Sequence, residues 1–205
     1  MLIKRKKTVS FLVSGRGTNF KAVAEKIQNG YINAQPGIVI SNSPDSLALE
    51  KAKDMGIESI ALEPKFFRSR EDHEKEMIRY LEKYNTDLVI AAGYMRLLTP
   101  VFVNRYKYKI INIHPALLPS FPGKNAQQQA LDYGVRITGC TTHFIDEGTD
   151  TGPVILQKSV EIDQGDDINS LSAKILKEEH IILVESVKLF CEDRLKVRNH
   201  RVIIK

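Results

Sequence analysis

The chain has 205 residues, which suits one α/β domain better than two ordinary ones. Its residues are 42% hydrophobic, yet no apolar run approaches the roughly 18 residues of a membrane span. The formal net charge of +5 rests mainly on Lys4, Arg5, Lys6 and Lys7, and the near-neutral remainder carries no nucleic-acid footprint.

The apolar stretch after that basic cluster is too short for a signal peptide and reads as a first strand, residues 8–14. The loop Ser14-Gly15-Arg16-Gly17-Thr18-Asn19 follows, then a helix over residues 20–28. Its glycines let backbone N–H groups approach an anion at the helix N-terminus. A dinucleotide fingerprint would need a third glycine where Phe20 stands, and an acid where the second strand ends at Asn42. A phosphate monoester site and an ordinary tight turn both fit the loop. A strand at 37–41 precedes a helix that Pro44 opens, running to Met55 and closed by Gly56. A strand at 58–62, a helix at 70–84 and a continuously apolar strand at 88–92 extend a series of parallel βαβ units. Gly93 then leads into Tyr94-Met95-Arg96-Leu97-Leu98, whose apolar members suit either a core or the walls of a flat ring pocket.

The segment Ile110-Ile111-Asn112-Ile113-His114-Pro115 is the most informative. Its β-branched residues make a strand, alternation sends Asn112 and His114 to one side, and Pro115 ends the ladder. A Pro-rich loop to Gly123 follows, and in open α/β sheets such strand ends are where ligands bind. A second Gly/Pro-bounded loop, Asp146-Glu147-Gly148-Thr149-Asp150-Thr151-Gly152-Pro153, offers carboxylates. An amide, an imidazole and a carboxylate together can stabilise an oxyanion and move a proton. Singly, each is equally a satisfied loop group. Strands at 136–144 and 154–160 have no helix between them, so this end of the sheet is mixed and partly antiparallel; His143 alternates within the first and reads as structural.

A helix over residues 167–190 follows, and residues 195–204 form a short β pair. At about 100° per residue, Ile168, Leu171, Ile175, Ile182, Leu183 and Phe190 share one helix face, with Glu179 near its middle. A carboxylate there needs a partner, either a structural cation or a ligand hydroxyl or amine. Cys140 and Cys191 stand far apart, so neither a disulfide framework nor a zinc site is indicated. His114 and Asp150 alone do not complete a metal site, and no nucleophile-elbow motif accompanies His114.

Along nearly its whole length the chain resembles the folate-dependent phosphoribosylglycinamide formyltransferases of purine synthesis. The resemblance is carried by Ser14 to Asn19, Ala92 to Pro100, Asn112-Ile113-His114-Pro115 through Gly123, Gly139 to Gln157, and Glu179-His180. It implies a single formyltransferase domain over 1–205, Rossmann-like and mostly parallel with a mixed C-terminal edge. A phosphate-binding half would span about 8–110 and a catalytic, folate-binding half 111–205. It further implies Asn112, His114 and Asp150 as catalytic residues, and Gly17, Thr18 and Asn19 as contacts of the acceptor phosphate. Glu179 would meet the acceptor ribose or amine; Arg70, Met95, Arg96, Leu97, Leu98 and Asn112 would bind folate. The family usually has Tyr-Pro shortly after the Glu-His pair, where this chain has Leu183-Val184, and no role transfers to Gln127, Gln128 and Gln129. The expected co-substrate is 10-formyltetrahydrofolate, the acceptor phosphoribosylglycinamide. No metal, nucleic acid or membrane is expected of this cytoplasmic monomer or homodimer. Other 10-formyltetrahydrofolate-dependent transferases or hydrolases are the related alternatives. A non-catalytic nucleotide-binding module would leave Asn112, His114, Asp150 and Glu179 unexplained.

Overall fold

A computed structural model describes residues 5–91 and 93–205. Lys4 of the basic cluster and Ala92, the predicted end of the 88–92 strand, lie outside the described residues. The chain divides into two compact units after Ile111. The first contains β1 (Lys7–Val13), α1 (Thr18–Gln28), β2 (Ala34–Ser41), α2 (Leu47–Asp54), β3 (Ser59–Ala61), α3 (Arg70–Lys83), β4 (Leu88–Ala91) and α4 (Pro100–Arg105). Strand β5 (Ile110–His114) spans the division. The second unit has α5 (Ala126–Tyr133), β6 (Ile137–Phe144), β7 (Val154–Glu161), α6 (Ile168–Cys191), β8 (Leu195–Arg198) and β9 (Arg201–Ile204). Hydrogen bonding orders the main sheet β3-β2-β1-β4-β5-β6-β7, with β8 and β9 as a separate antiparallel pair. This is the α/β architecture that the strand and helix pattern predicts.

In the first unit β1 lies between β2 and β4, parallel to both. Val9, Phe11, Leu12 and Val13 are fully buried, as are Leu88, Val89 and Ile90, because helices cover both faces of a parallel sheet. Phe11 meets Phe20 of α1 edge to face at 4.9 Å. The β1–β2 register slips between Val9 and Phe11, opposite Pro36-Gly37. Ser10 fills the gap: its Oγ accepts from the Ile38 N–H at 3.2 Å and bonds the Thr86 hydroxyl at 2.8 Å. A Cβ on Gly37 would lie 2.2 Å from that Oγ and would displace the hydroxyl from its bonds.

Helix α2 begins at Leu47, three residues beyond the predicted Pro44 start, and Pro44 lies in the preceding turn. The reason is local: the Ser46 hydroxyl and the Ala48 N–H both donate to Gly15 O, which draws this segment onto the 14–19 loop. Helix α4 was not anticipated. Its N-cap, Thr99, is held by the buried Glu74 of α3, which accepts from both the Thr99 N–H, at 3.0 Å, and its hydroxyl. In the second unit β6 and β7 pair antiparallel, as expected, and α6 packs on both. Asp167 caps α6 by accepting from the N–H groups of Asn169 and Ser170, and the Ser170 hydroxyl returns the bond in a capping box. Ile168 is exposed and Phe190 half-buried; Leu171, Ile175, Glu179, Ile182 and Leu183 form the buried face with Ser186, Val187 and Leu189.

His73 of α3 is buried, and its Nε2 donates to Leu62 O at 2.9 Å. Burial holds its pKa below the ordinary histidine value, with the Arg96 charge adding to the effect. The unfolded chain therefore binds a proton near pH 6.5 that the folded chain resists, so stability is complete above that pH and falls as pH drops below it. Urea midpoints measured from pH 7.5 down to pH 5 should fall, and His73→Gln should flatten part of that fall; an equally steep profile in the variant would contradict this assignment.

Candidate active site

Strand β5 delivers Asn112 and His114 to one side, as alternation requires; His114 lies against Asp150, and Asn112 is joined to the same cluster through His143. His114 is buried; its Nδ1 lies 3.3 Å from Asp150 Oδ2 and its Nε2 2.8 Å from Phe121 O. A carbonyl only accepts, so Nε2 carries a proton and Nδ1 is the nitrogen turned to the carboxylate. Both ring nitrogens are thus engaged by the protein. To donate to a substrate oxygen, the Nε2 proton would have to be shared with, or released from, the Phe121 carbonyl.

His143, which alternation marked as structural, belongs to this cluster. Its Nδ1 donates to Phe144 O at 3.0 Å, which leaves the Nε2 lone pair to accept from Asn112 Nδ2 at 3.1 Å. Burial, the dominant effect, lowers its pKa and keeps it neutral, the state that accepts. The contact fixes which end of the Asn112 amide is nitrogen and leaves its second N–H for a ligand. His143 Nε2 also lies 3.6 Å from Asp150 Oδ1. The available signal in the sequence was parity: position 143 points opposite to Thr142, whose hydroxyl meets Ser186 on α6.

Asp150 adopts a left-handed conformation at φ 55°, and its Oδ2 accepts from the Gly123 N–H at 2.8 Å. Its loop is closed by Asp146, which accepts from the Gly148 N–H and the Thr151 hydroxyl. At its end Gly152 runs against the carbonyl of Phe144, and a Cβ there would lie 1.8 Å from that oxygen. Glu179 is buried on α6, as its place on the apolar face predicts. Its charge is felt at Cys140 of β6, whose thiol is pushed up to about 12 chiefly by burial.

The phosphate-loop and folate-pocket candidates lie in the first unit. Gly17 is the N-cap of α1 in the left-handed region, φ 65°, with a Cβ position 2.5 Å from Ala48 Cβ. No side chain caps this helix, whose first turn begins at Thr18 and Asn19. Ser14 links this loop to the next: its Oγ accepts from the Met95 N–H at 2.9 Å. Met95 and Leu97 are exposed, Leu98 is buried and Arg96 half-buried. Arg70 is exposed at the start of α3. Both arginine charges reach the half-buried Tyr94, whose pKa desolvation pushes up to about 12. Among the described residues no group of three or more His, Cys, Asp or Glu is arranged to hold a metal ion, and no helix is long and apolar enough to cross a membrane.

The first unit thus carries a Gly-cornered loop at a helix N-terminus and the second an Asn–His–Asp cluster at strand ends, and comparison with known proteins gives the family. The formyl transferase family model matches residues 7–187, and the chain belongs to that family. It is 38% identical over 174 residues to a phosphoribosylglycinamide formyltransferase of Bacillus subtilis, covering 85% of this chain and 89% of that one. A trifunctional purine biosynthetic protein of Drosophila melanogaster is 43% identical across 88% of this chain, which spans only 14% of that larger protein. Among solved structures, a glycinamide ribonucleotide transformylase from Symbiobacterium toebii superposes with a TM-score of 0.96 at 40% identity, covering 97% of this chain and 94% of that one.

Gly152→Ala should destabilise the protein by about 1–3 kcal/mol, because the added methyl must displace the Phe144 carbonyl. It should also depress turnover by moving Asp150, and chemical denaturation with steady-state kinetics on one preparation would check both.

Proposed function

We propose that this chain is a cytoplasmic phosphoribosylglycinamide formyltransferase, moving the formyl group of 10-formyltetrahydrofolate to the glycinamide amine of 5-phosphoribosylglycinamide in purine synthesis. The observation that carries the reading is the cluster of half-buried Asn112 and Asp150 with buried His114, the Asn112 amide being oriented by a neutral His143. The relatives' names supply the acceptor and the pathway.

In this reading the first-turn N–H groups at Gly17, Thr18 and Asn19 bind the acceptor phosphate. Glu179 accepts from the ribose hydroxyls or the amine. Met95, Leu97 and Leu98 flank the pterin ring, backbone groups near Arg96 meet its edge, and Arg70 attracts the anionic tail. The neutral acceptor amine attacks the formyl carbon, so neither a covalent enzyme intermediate nor a metal is needed. Charge then develops on the former formyl oxygen. Asn112 donates its free amide hydrogen to that oxygen, and His114 donates Nε2–H as the Phe121 carbonyl releases or shares it. Asp150 balances the imidazole charge and helps carry the amine proton to the folate nitrogen, directly or through water. The bond from that nitrogen to the formyl carbon breaks, giving formylated acceptor and tetrahydrofolate.

Asn112→Ala and His114→Ala should each lower kcat by about 10²–10³ with modest changes in KM. Near-wild-type turnover in both would remove the mechanism. Assaying each candidate acceptor, water included, with the same formyl donor separates this reading from a hydrolase or another transferase.

Glu179→Gln keeps shape and hydrogen-bonding capacity but loses charge, and should weaken acceptor binding by about 1–3 kcal/mol while sparing folate affinity. An unchanged acceptor affinity with a melting temperature lowered by many degrees would make Glu179 a structural residue instead.

A further inference from the structure

The loop that orients His114 is itself held from below by two side chains that touch none of the proposed reacting groups. Thr141 of β6 is fully buried, and its hydroxyl is saturated. It donates to Ala116 O at 2.7 Å and accepts from the Leu118 N–H at 3.0 Å and from Gln157 Nε2 at 3.1 Å. Gln157 Nε2, from the neighbouring strand β7, also donates to Leu118 O at 2.8 Å. Two positions away on β6, Gly139 makes room for Leu117; a Cβ there would lie 2.9 Å from Leu117 Cδ2 and 2.0 Å from Lys158 O. Ala116, Leu117 and Leu118 are therefore fixed by one face of β6 and an edge of β7.

From Leu118 the chain has little freedom before it reaches His114. Pro119 and Pro122 fix their own φ angles, and the Ser120 N–H bonds Leu117 O at 3.0 Å. Phe121, at φ 53°, then turns its carbonyl to His114 Nε2, and Gly123 turns its N–H to Asp150. On the far side of this segment Gln129 Nε2 donates to Pro122 O and Lys124 O, at 3.2 and 2.8 Å.

We propose that Thr141 and Gln157 are positioning residues for formyl transfer. They latch residues 116–118 so that the Phe121 carbonyl sets the orientation and proton placement of His114. The inference rests on the proposed role of His114. A latch of this kind acts on turnover more than on binding, because a misplacement of about 1 Å at a catalytic group is enough to cost 10²-fold in rate.

The test compares wild type with Thr141→Val, Thr141→Ser, Gln157→Met and His114→Ala, each characterised by thermal melting, steady-state kinetics for both substrates and NMR of the His114 ring. Thr141→Val and Gln157→Met should lower kcat by about 10- to 100-fold, with either KM changed by no more than about threefold. In both, the His114 Nε2–H signal, sheltered in wild type by its bond to Phe121, should broaden through solvent exchange. Thr141→Ser keeps the hydroxyl and should recover kcat to within about threefold of wild type. Gln157 is solvent-exposed, so Gln157→Met decides the question even if Thr141→Val does not fold. Wild-type kcat in a folded Thr141→Val or Gln157→Met protein, a loss confined to KM, or a lowered kcat with an unchanged His114 signal would each overturn the latch. If His114→Ala turns over like wild type, the mechanism beneath it fails instead; if His114→Ala is impaired and Gln157→Met is not, the latch alone is wrong.

Discussion

The site depends on one carboxylate. Asp150 is largely buried and faces three groups at once: the Gly123 N–H, His114 Nδ1 and His143 Nε2. A buried carboxylate is costly unless hydrogen-bonded; here the Gly123 N–H donates to it, while the two imidazoles, from two further segments, pack beside it. Its position therefore fixes the Pro-rich loop, the end of β5 and the end of β6 relative to one another. The conformations around it show the constraint. Asp150 itself lies in the left-handed region, and Gly152 approaches the Phe144 carbonyl as only glycine can. Asp146 stabilises the loop internally, so the carboxylate is not supported by burial alone.

Strand β6 divides the labour by parity. Gly139, Thr141 and His143 point to one side, where they seat Leu117, bind Ala116 and Leu118, and orient Asn112. Cys140 and Thr142 point to the other, where Thr142 meets Ser186 of α6 and Cys140 feels Glu179. This accounts for a strand that is buried from Thr138 onward yet poor in large apolar residues. A valine or isoleucine at 139 would strike backbone, and one at 141 would leave Ala116 O and Leu118 N without partners. The sheet sacrifices apolar packing here and gains polar order at the strand ends.

Most of the architecture was legible because period and composition report it directly. The apolar run at 88–91 is a strand buried on both faces, Asn112 and His114 share a side, and Glu179 lies on the buried face of α6. What could not be read depends on partners distant in sequence. Alternation gives the side on which His143 lies, but not that Asn112 waits there, 31 residues earlier. Pro44 satisfies every local rule for a helix start, yet Gly15 O captures Ser46 and Ala48 and moves the start to Leu47. Helix α4 is short, and its N-cap is secured by Glu74 from another helix rather than by its own sequence. Phe121 carries no polar side chain, so nothing in its letter suggests that its carbonyl holds the His114 imidazole.

The hydrogen-bond directions also constrain how charge is handled. Phe144 O fixes the His143 proton on Nδ1, and that choice makes Nε2 an acceptor. Asn112 must then present its amide nitrogen to His143, with the remaining N–H free. Had His143 been charged, both its nitrogens would be donors, and the Asn112 amide would flip to turn its oxygen to His143, presenting its nitrogen on the other side. Burial of His143, which keeps it neutral, thus decides which end of the Asn112 amide is turned outward. The two histidines beside Asp150 consequently do opposite work. One is kept neutral to aim an amide, while the other has a carboxylate against it to balance any proton it gains.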